Sequence, residues 1–270
     1  MLFFCGNSQM VDLHCHVLPD VDDGAQSIEE ALEMLRKAAA GGVDTVVATP
    51  HMIRGLYEIG FLEREQMTAD LQKTADENGI KIRVKSGVEC YLSPDILEDS
   101  SELKKLTLGN NGKYILVELP MQAVPPYAEE VLFNLEIQGL TPVLAHPERN
   151  MRICRDPNIL FDFVTKGCVA QLNVGSILGH FGKWIRKAAR ILLTHKLVHV
   201  IASDMHSADS PTLDQAVSVV EDLLGTEYAS RMFTEIPRRI LAGEAFHKDP
   251  PQRFEPARRG LRGIFFGHRT

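Results

Sequence analysis

Two hydrophobic rhythms alternate along the chain. Short runs of mostly apolar residues, rich in Val, Ile and Leu, are separated by longer stretches in which apolar residues recur every three or four positions. The first rhythm predicts β-strands and the second amphipathic helices. Strands are expected over 10–17, 45–49, 82–89, 114–118, 141–145, 169–174 and 198–203. A helix is expected from Ser27, a good N-cap with Glu29 and Glu30 in the first turn, to the Gly41-Gly42 stop. Others are expected over 61–78, 129–138, 158–166, 183–196, 212–224 and 228–242, with Gly79, Gly139 and Gly167 as stops. The stretch 175–182 reads as a loop, and 91–112, mixed and punctuated by Gly and Asn, takes no assignment. Seven strands alternating with helices predict an α/β fold, a distorted (β/α)7 barrel rather than a doubly wound sheet. No Gly-rich dinucleotide fingerprint and no Walker sequence is present.

Polar residues gather where the strands hand over to loops. In Asp12-Leu-His-Cys-His16 the histidines stand two apart, so on a strand they share one side while Leu13, Cys15 and Val17 take the other. The turn that follows offers Asp20, Asp22 and Asp23 as hard oxygen ligands. A lone His-x-His carries little weight, but the pattern recurs along the chain. Collected from strand ends, the candidate metal ligands are His14, His16, Asp23, His51, Glu89, Glu118, His146, Asp204 and His206. Five imidazoles and four carboxylates are too many for one ion and suit two or three divalent cations, with Glu89 as the bridging carboxylate. Such a site would stay net positive, attract a phosphate dianion and lower the pKa of a bound water. His180, His195, His199 and His247 fall on loops, helices or a strand start and read as ordinary.

Composition narrows the classes. At 270 residues and 44% hydrophobic content the chain can bury a large core, and a net charge of −7 disfavours a nucleic-acid binder that works through a basic surface. Five cysteines without a Cys-x-x-Cys pair suggest neither a zinc ribbon nor a disulfide framework, and a reducing cytoplasm fits best. No signal peptide and no membrane-spanning run is expected. Residues 1–248 are expected to form one domain, with 1–9 as a light extension. Residues 249–270, carrying Arg253, Arg258, Arg259, Arg262 and Arg269, read as a loose basic tail, the only part expected to touch a membrane directly.

Asp-Leu-His-Cys-His with Asp23, Thr-Pro-His51, Gly-Val-Glu89, His146-Pro-Glu-Arg149 and Ser-Asp204-Met-His206 resemble the motifs of the PHP (polymerase and histidinol phosphatase) superfamily. His-Val-Leu-Pro-Asp-Val-Asp-Asp-Gly-Ala and Asn-Val-Gly-Ser-Ile-Leu-Gly-His-Phe-Gly resemble its bacterial tyrosine-protein phosphatase branch, the CpsB/CapC type of capsule and exopolysaccharide synthesis. The resemblance runs over about 10–245. It implies a seven-stranded barrel and a trinuclear site with manganese first and iron, zinc or magnesium as alternatives. It also implies a cytoplasmic role on phosphotyrosyl protein, a bacterial tyrosine autokinase. The nine ligands above fall on its ligand positions, and Arg149 on its phosphate-binding arginine, a role for which a guanidinium fork is suited. A structural ion pair with Glu148 is the alternative for Arg149. His206 or a bound water is the candidate proton source. The branch often carries a further arginine after Asp-x-His, absent here, and Arg54 is the candidate substitute. No cysteine is followed at the sixth position by arginine, which rejects a thiolate-based tyrosine phosphatase. The remaining alternatives are a small-molecule phosphomonoesterase such as a histidinol phosphatase, a phosphodiesterase, an amidohydrolase and a metal-bearing scaffold.

Overall fold

A computed structural model describes residues 9–98 and 102–256. The chain alternates strands and helices: β1 (Met10–Cys15), α1 (Ile28–Ala40), β2 (Val43–Ala48), β3 (His51–Met52), α2 (Phe61–Glu77), β4 (Arg83–Ser86), β5 (Glu89–Tyr91), β6 (Tyr114–Glu118), α3 (Ala128–Ile137) and β7 (Thr141–Ala145). There follow α4 (Met151–Arg155), α5 (Asn158–Thr165), β8 (Val169–Asn173), α6 (Val174–Leu178), α7 (Lys183–Thr194), β9 (Val200–Ala202), α8 (Asp214–Leu224), α9 (Thr226–Ser230) and α10 (Ile236–Leu241). Ser27 caps α1 as expected, its side chain accepting from the Glu30 amide.

All strand pairs are parallel, in the orders β1-β2-β4 and β3-β5-β6-β7-β8-β9. Nine strands appear where seven were expected because the expected strand 82–89 divides into β4 and β5 and a short β3 follows the expected strand 45–49. Pro50, which has no amide hydrogen, interrupts the ladder between β2 and β3. Gly87-Val88 interrupts it between β4 and β5, where a Cβ on Gly87 would meet Val47 Cγ1 at 2.8 Å. The Gly87 amide still donates to Ala48 O (2.9 Å) and the Glu89 amide to Pro50 O (3.0 Å), so pairing continues across both breaks. After β9, Asp204 N donates to His14 O and His16 N to Met205 O, both at 2.9 Å, joining the end of the last strand to the first.

The expected alternation along β1 fails at one place. Asp12 pairs with Val46 but Cys15 with Ala48, so β1 carries one extra residue, a β-bulge. Leu13 therefore packs in an inner apolar cluster with Val11, Val47, Leu116, Val143 and Val169, while Cys15 packs in the outer layer beneath the helices. Buried Asp12 holds the bulge, its Oδ1 accepting from the amides of His14 (3.3 Å) and Ser203 (3.0 Å), and burial raises its pKa to about 6. Beyond this apolar plug, the same strands deliver polar side chains at their C-terminal ends: His51 after Val47, Glu118 after Leu116, Gln171 and Asn173 after Val169. This is where parallel α/β folds place their sites.

Other differences are local. Residues 174–178, expected at the edge of a loop, form one helical turn ended by Gly179 at φ 92°. The unassigned stretch contains short 3-10 turns, Pro94–Leu97, Leu103–Leu106 and Leu108–Asn110, too brief to leave a period. The expected helix over 228–242 is divided by a π turn at Arg231–Glu235.

Residues 249–256, assigned to the loose tail by their charge, are anchored instead. Asp249 pairs with Arg231 (2.9 Å), Arg253 pairs with Asp162 (2.9 Å) and lies over the Phe161 ring, and Asn158 exchanges two hydrogen bonds with Phe254. The remainder of that tail and the extension at 1–8 lie outside the described residues.

Just before this strap the Phe246 ring meets buried His199 edge-on (centroids 6.0 Å), and His199 Nδ1 accepts from the Ala170 amide (3.1 Å). Burial, with Lys248 nearby, pushes its pKa down to about 3. The folded chain thus refuses a proton that the unfolded chain takes up below about pH 6.5, so His199 costs stability as pH falls through that window. His199→Asn preserves an acceptor near Nδ1 and removes the titration. In urea denaturation its stability deficit relative to the parent is expected to shrink by about 1 kcal/mol between pH 6 and 5; a constant deficit would contradict this account.

Candidate metal centre

At the C-terminal strand ends, the bulge in β1 turns His14 and His16 toward each other, with their Nε2 atoms 3.1 Å apart. Each ring is oriented from behind. His14 Nδ1 lies 3.0 Å from Gln171 Oε1, and His16 Nδ1 lies 2.7 Å from Asp22 Oδ2. An acceptor on Nδ1 places the proton of a neutral ring there and leaves the Nε2 lone pair facing the centre. Asp22 also accepts from the amides of His51 (2.8 Å) and Gly24 (2.9 Å), which folds the turn over the site. Gly24 has no alternative: a Cβ there would lie 2.1 Å from His16 O.

Glu89 is the hub. Its Oε2 lies 3.2 Å from His14 Nε2, 3.3 Å from His16 Nε2 and 3.0 Å from His51 Nδ1, and its Oε1 lies 2.9 Å from His146 Nε2. Asp204 Oδ1 lies 3.2 Å from His14 Nε2 and 3.4 Å from His16 Nε2. Asp23 Oδ1 is 3.5 Å from both His51 and His206, and Glu118 is 3.7 Å from His146. His146 (φ 29°) and Asp204 (φ 55°) adopt the left-handed backbone region without being glycine, a strained turn that aims each side chain inward at its strand end.

All nine expected residues are thus brought together. They form four groups whose ligand atoms lie within 4.8 Å of one another: His16-Asp23-His51-His206, His14-Glu89-His146, His14-His16-Asp204 and His51-Glu89-Glu118. His14, His16, His51 and Glu89 each belong to two groups, so the groups overlap, and of these four only the two-oxygen carboxylate of Glu89 can serve two cations at once. Glu89 Oε2, Asp204 Oδ1 and His51 Nδ1 are buried and have no hydrogen-bond partner despite these close approaches. Buried polar atoms rarely stay unpaired, and mixed nitrogen and carboxylate donors suit divalent Mn, Fe, Zn or Mg. The donor set therefore fits cations.

The electrostatics agree. Burial alone would raise the carboxyls of Glu89 and Asp204, yet the surrounding imidazoles hold both below the usual range, so both stay ionised. Burial opposes charge on His16 and His146, yet hydrogen bonds to the carboxylates raise His16 well above an ordinary imidazole and His146 to about 9. Glu118 is raised by burial and by the charge of Glu89, and His206 is lowered by burial and by His16. Buried negative charge that recruits protons recruits cations by the same attraction, and the two compete.

Arg149 sits at the open side, a quarter exposed, with Nη1 2.9 Å from Asp204 Oδ2 and its guanidinium 4.6 Å from the Phe181 ring centre. Its partner is Asp204 rather than Glu148, which is buried and accepts from the Asn173 amide. Arg54 is tied to Glu98 (2.9 Å) and Asp95 (3.4 Å) on the surface. Cys15 is buried on the far side of β1, with Sγ 3.9 Å from Met205 O, so Cys15→Ser is expected to keep activity within about threefold in a phosphate-release assay.

Asp22, read from the sequence as an oxygen ligand, instead orients His16 from behind, and the sequence reading passed over the rest of the supporting shell, Asp12, Gln171 and Asn173. Gln171 Nε2 donates to Asn173 Oδ1 (2.8 Å), and Asn173 Nδ2 donates to Asp204 Oδ2 (2.5 Å), so this pair ties His14 to Asp204. Its signal was visible in Val169-Ala-Gln-Leu-Asn, two polar residues two apart at a strand end. Gln171→Leu leaves His14 Nδ1 without an acceptor and is expected to weaken divalent-cation affinity about 10- to 100-fold, read by chelator competition. Gln171→Glu, which keeps an acceptor, is expected to lose less, and unchanged affinity in Gln171→Leu would refute the role.

The profile of the family described as capsular polysaccharide synthesis, CpsB/CapC, matches residues 10–242. Tyrosine-protein phosphatase YwqE of Bacillus subtilis (strain 168) is 35% identical over 258 residues, covering 95% of this chain and 100% of that protein. Tyrosine-protein phosphatase CpsB of Streptococcus pneumoniae is 32% identical over 239 residues, covering 86% and 98% respectively. A solved structure from the work on YwqE and CpsB, described there as unique metal-dependent tyrosine phosphatases, superposes with a TM-score of 0.87 at 34% identity, covering 92% of this chain and 100% of that one.

Proposed function

The chain belongs to the CpsB/CapC family of capsular polysaccharide synthesis proteins, and from that premise we propose that it is a metal-dependent protein-tyrosine phosphatase acting on a bacterial tyrosine kinase. The observation that carries this reading is the set of four overlapping donor groups beside a single arginine at an open rim. In the proposed site His14, His16, Asp23, His51, Glu89, Glu118, His146, Asp204 and His206 hold two or three divalent cations, manganese first. Once bound, the cations supply Lewis acidity, lowering the pKa of an attacking water and offsetting charge on the phosphoryl oxygens. The proposed frame is the seven-strand barrel, supported by the hydrogen bonds that join β9 to β1. No described helix is long and apolar enough to cross a membrane, in keeping with a cytoplasmic site of action.

The chain's own residues do the rest. Arg149 pivots from Asp204 to the incoming phosphate and binds its equatorial oxygens, while Asn173 keeps Asp204 in place. A phenolate leaves with a pKa near 10 and needs little protonation. His206, partly exposed and with a lowered pKa, is neutral at pH 7 and serves as a lone-pair donor at the rim rather than as an acid. Exposure of Asp23, His206 and Arg149 leaves the site open enough for a side chain presented by another protein.

The test compares a phosphotyrosyl peptide, histidinol phosphate and a phosphodiester, with protein stripped by chelation and reloaded with Mn. The tyrosyl peptide is expected to be preferred by at least about a hundredfold in kcat/KM, with no turnover before reloading. Preference for histidinol phosphate or the diester would overturn the reading in favour of those activities.

A further inference from the structure

The charge of the chain is unevenly placed around this site. Between Asp162 and Asp204 there is no acidic residue, although the whole protein carries 36 acids against 29 lysines and arginines. The N-terminal half of α7 lies against the Arg149 segment and α4. Phe181 stacks on Arg149, and the Trp184 carbonyl lies 3.8 Å from Cys154 Sγ. The helix buries Ala188, Ala189, Leu192 and Leu193 and turns its other face to water.

That outer face carries Lys183, Arg186, Lys187 and Arg190, and α4 beside it adds Arg152 and Arg155. Among the described residues none of these six has a carboxylate within 4.0 Å, whereas arginines elsewhere such as Arg231 and Arg253 are paired at 2.9 Å. The nearest acids in sequence are engaged: Glu148 is buried against Asn173, and Asp156 accepts from the Asn158 amide. Amid these cations stand two aromatic side chains with little covering them, Phe181 at 43% and Trp184 at 70% exposure.

We propose that this lip, formed by α4, Phe181, Trp184 and the outer face of α7, docks an acidic segment flanking the phosphotyrosine of the protein substrate. The inference rests on the phosphatase reading and deepens it by naming the substrate's sequence chemistry. Unpaired cations around exposed rings fit an extended acidic peptide: the cations steer it in, and the rings supply contact area at low entropic cost. Continuity with Arg149 places such a segment where the phosphate is held. An anionic lipid surface would satisfy the same charges, but the lip curves into the phosphate site through Phe181 and Arg149, which only a chain carrying that phosphate needs to reach.

Trp184 is the only tryptophan in the chain, so docking can be read directly. The probes are two Trp-free peptides bearing a non-hydrolysable phosphonate analogue of phosphotyrosine, one flanked by glutamates and one by serines. With the Mn-loaded protein, the acidic peptide is expected to shift Trp184 emission and bind about tenfold tighter than the neutral one, an advantage lost in about 0.5 M salt. In turnover of the matching phosphotyrosyl peptides, the double variant Lys183→Glu, Lys187→Glu is expected to lose about tenfold in kcat/KM on the acidic peptide while staying within about twofold on the neutral peptide and on 4-nitrophenyl phosphate.

Equal binding of the two peptides, or equal loss on both, would overturn the docking proposal while leaving the phosphatase reading standing. Failure to hydrolyse any tyrosyl phosphate would sink the phosphatase reading, and the emission titration would still decide the docking. Sedimentation with phosphatidylglycerol vesicles that the double variant abolishes, without a peptide preference, would reassign the face to a membrane and overturn the proposal.

Discussion

Glu89→Gln is expected to lower kcat/KM for a phosphotyrosyl peptide by at least about a thousandfold, with the fold retained. Four candidate ligands, His14, His16, His51 and His146, all approach its two oxygens within 3.3 Å. Its carboxylate is fully buried, yet the imidazoles around it keep it ionised. Glutamine preserves the volume but removes the charge, and it replaces one acceptor oxygen with an amide that can only donate. Two of the four donor groups then lose a ligand at once. The measurements are steady-state hydrolysis, metal content by mass spectrometry and circular dichroism. Metal content is expected to fall with activity while the spectrum stays that of the parent. A variant that keeps its metal and more than a tenth of its activity would show that Glu89 is not the bridge.

Arg149→Ala is expected to cost about 10²- to 10³-fold in kcat/KM and to leave metal content unchanged, because the arginine binds substrate oxygens and not the cations. That separation is the informative part. Its resting partner Asp204 would still receive Asn173 Nδ2, so the carboxylate keeps its position when the guanidinium goes. Lysine restores the charge but not the planar fork, and Arg149→Lys is expected to recover only part of the loss. Loss of metal in Arg149→Ala would instead mean that the ion pair with Asp204 is structural.

How far the sequence could be read depended on the length of the signal. The strand ends were legible because a side-chain period of two and a polar residue after an apolar run are local features, and the structure gathers all nine candidates from them. What stayed hidden was geometry that depends on partners far along the chain. The bulge that separates Leu13 from Cys15 exists only in the pairing of β1 with β2. The need for glycine at 87, where the strand breaks, follows from the close approach of Val47, forty residues earlier in the chain. The strained backbones of His146 and Asp204 have no glycine to announce them. Glu148, adjacent in sequence, looked like the natural partner of Arg149, yet the turn after β7 sends the two side chains in different directions. Composition misjudged 249–256, whose three prolines and Arg253 looked loose until Asp162, Arg231 and Asn158 supplied anchors.

The most direct test of the metal centre is anomalous diffraction near the manganese edge from crystals of the Mn-loaded protein. The expected result is two or three strong anomalous peaks lying among the donor groups, one of them among His16, Asp23, His51 and His206, with Glu89 shared between neighbours. Peaks elsewhere on the protein, or none among these nine residues in protein that hydrolyses phosphotyrosine, would contradict the account.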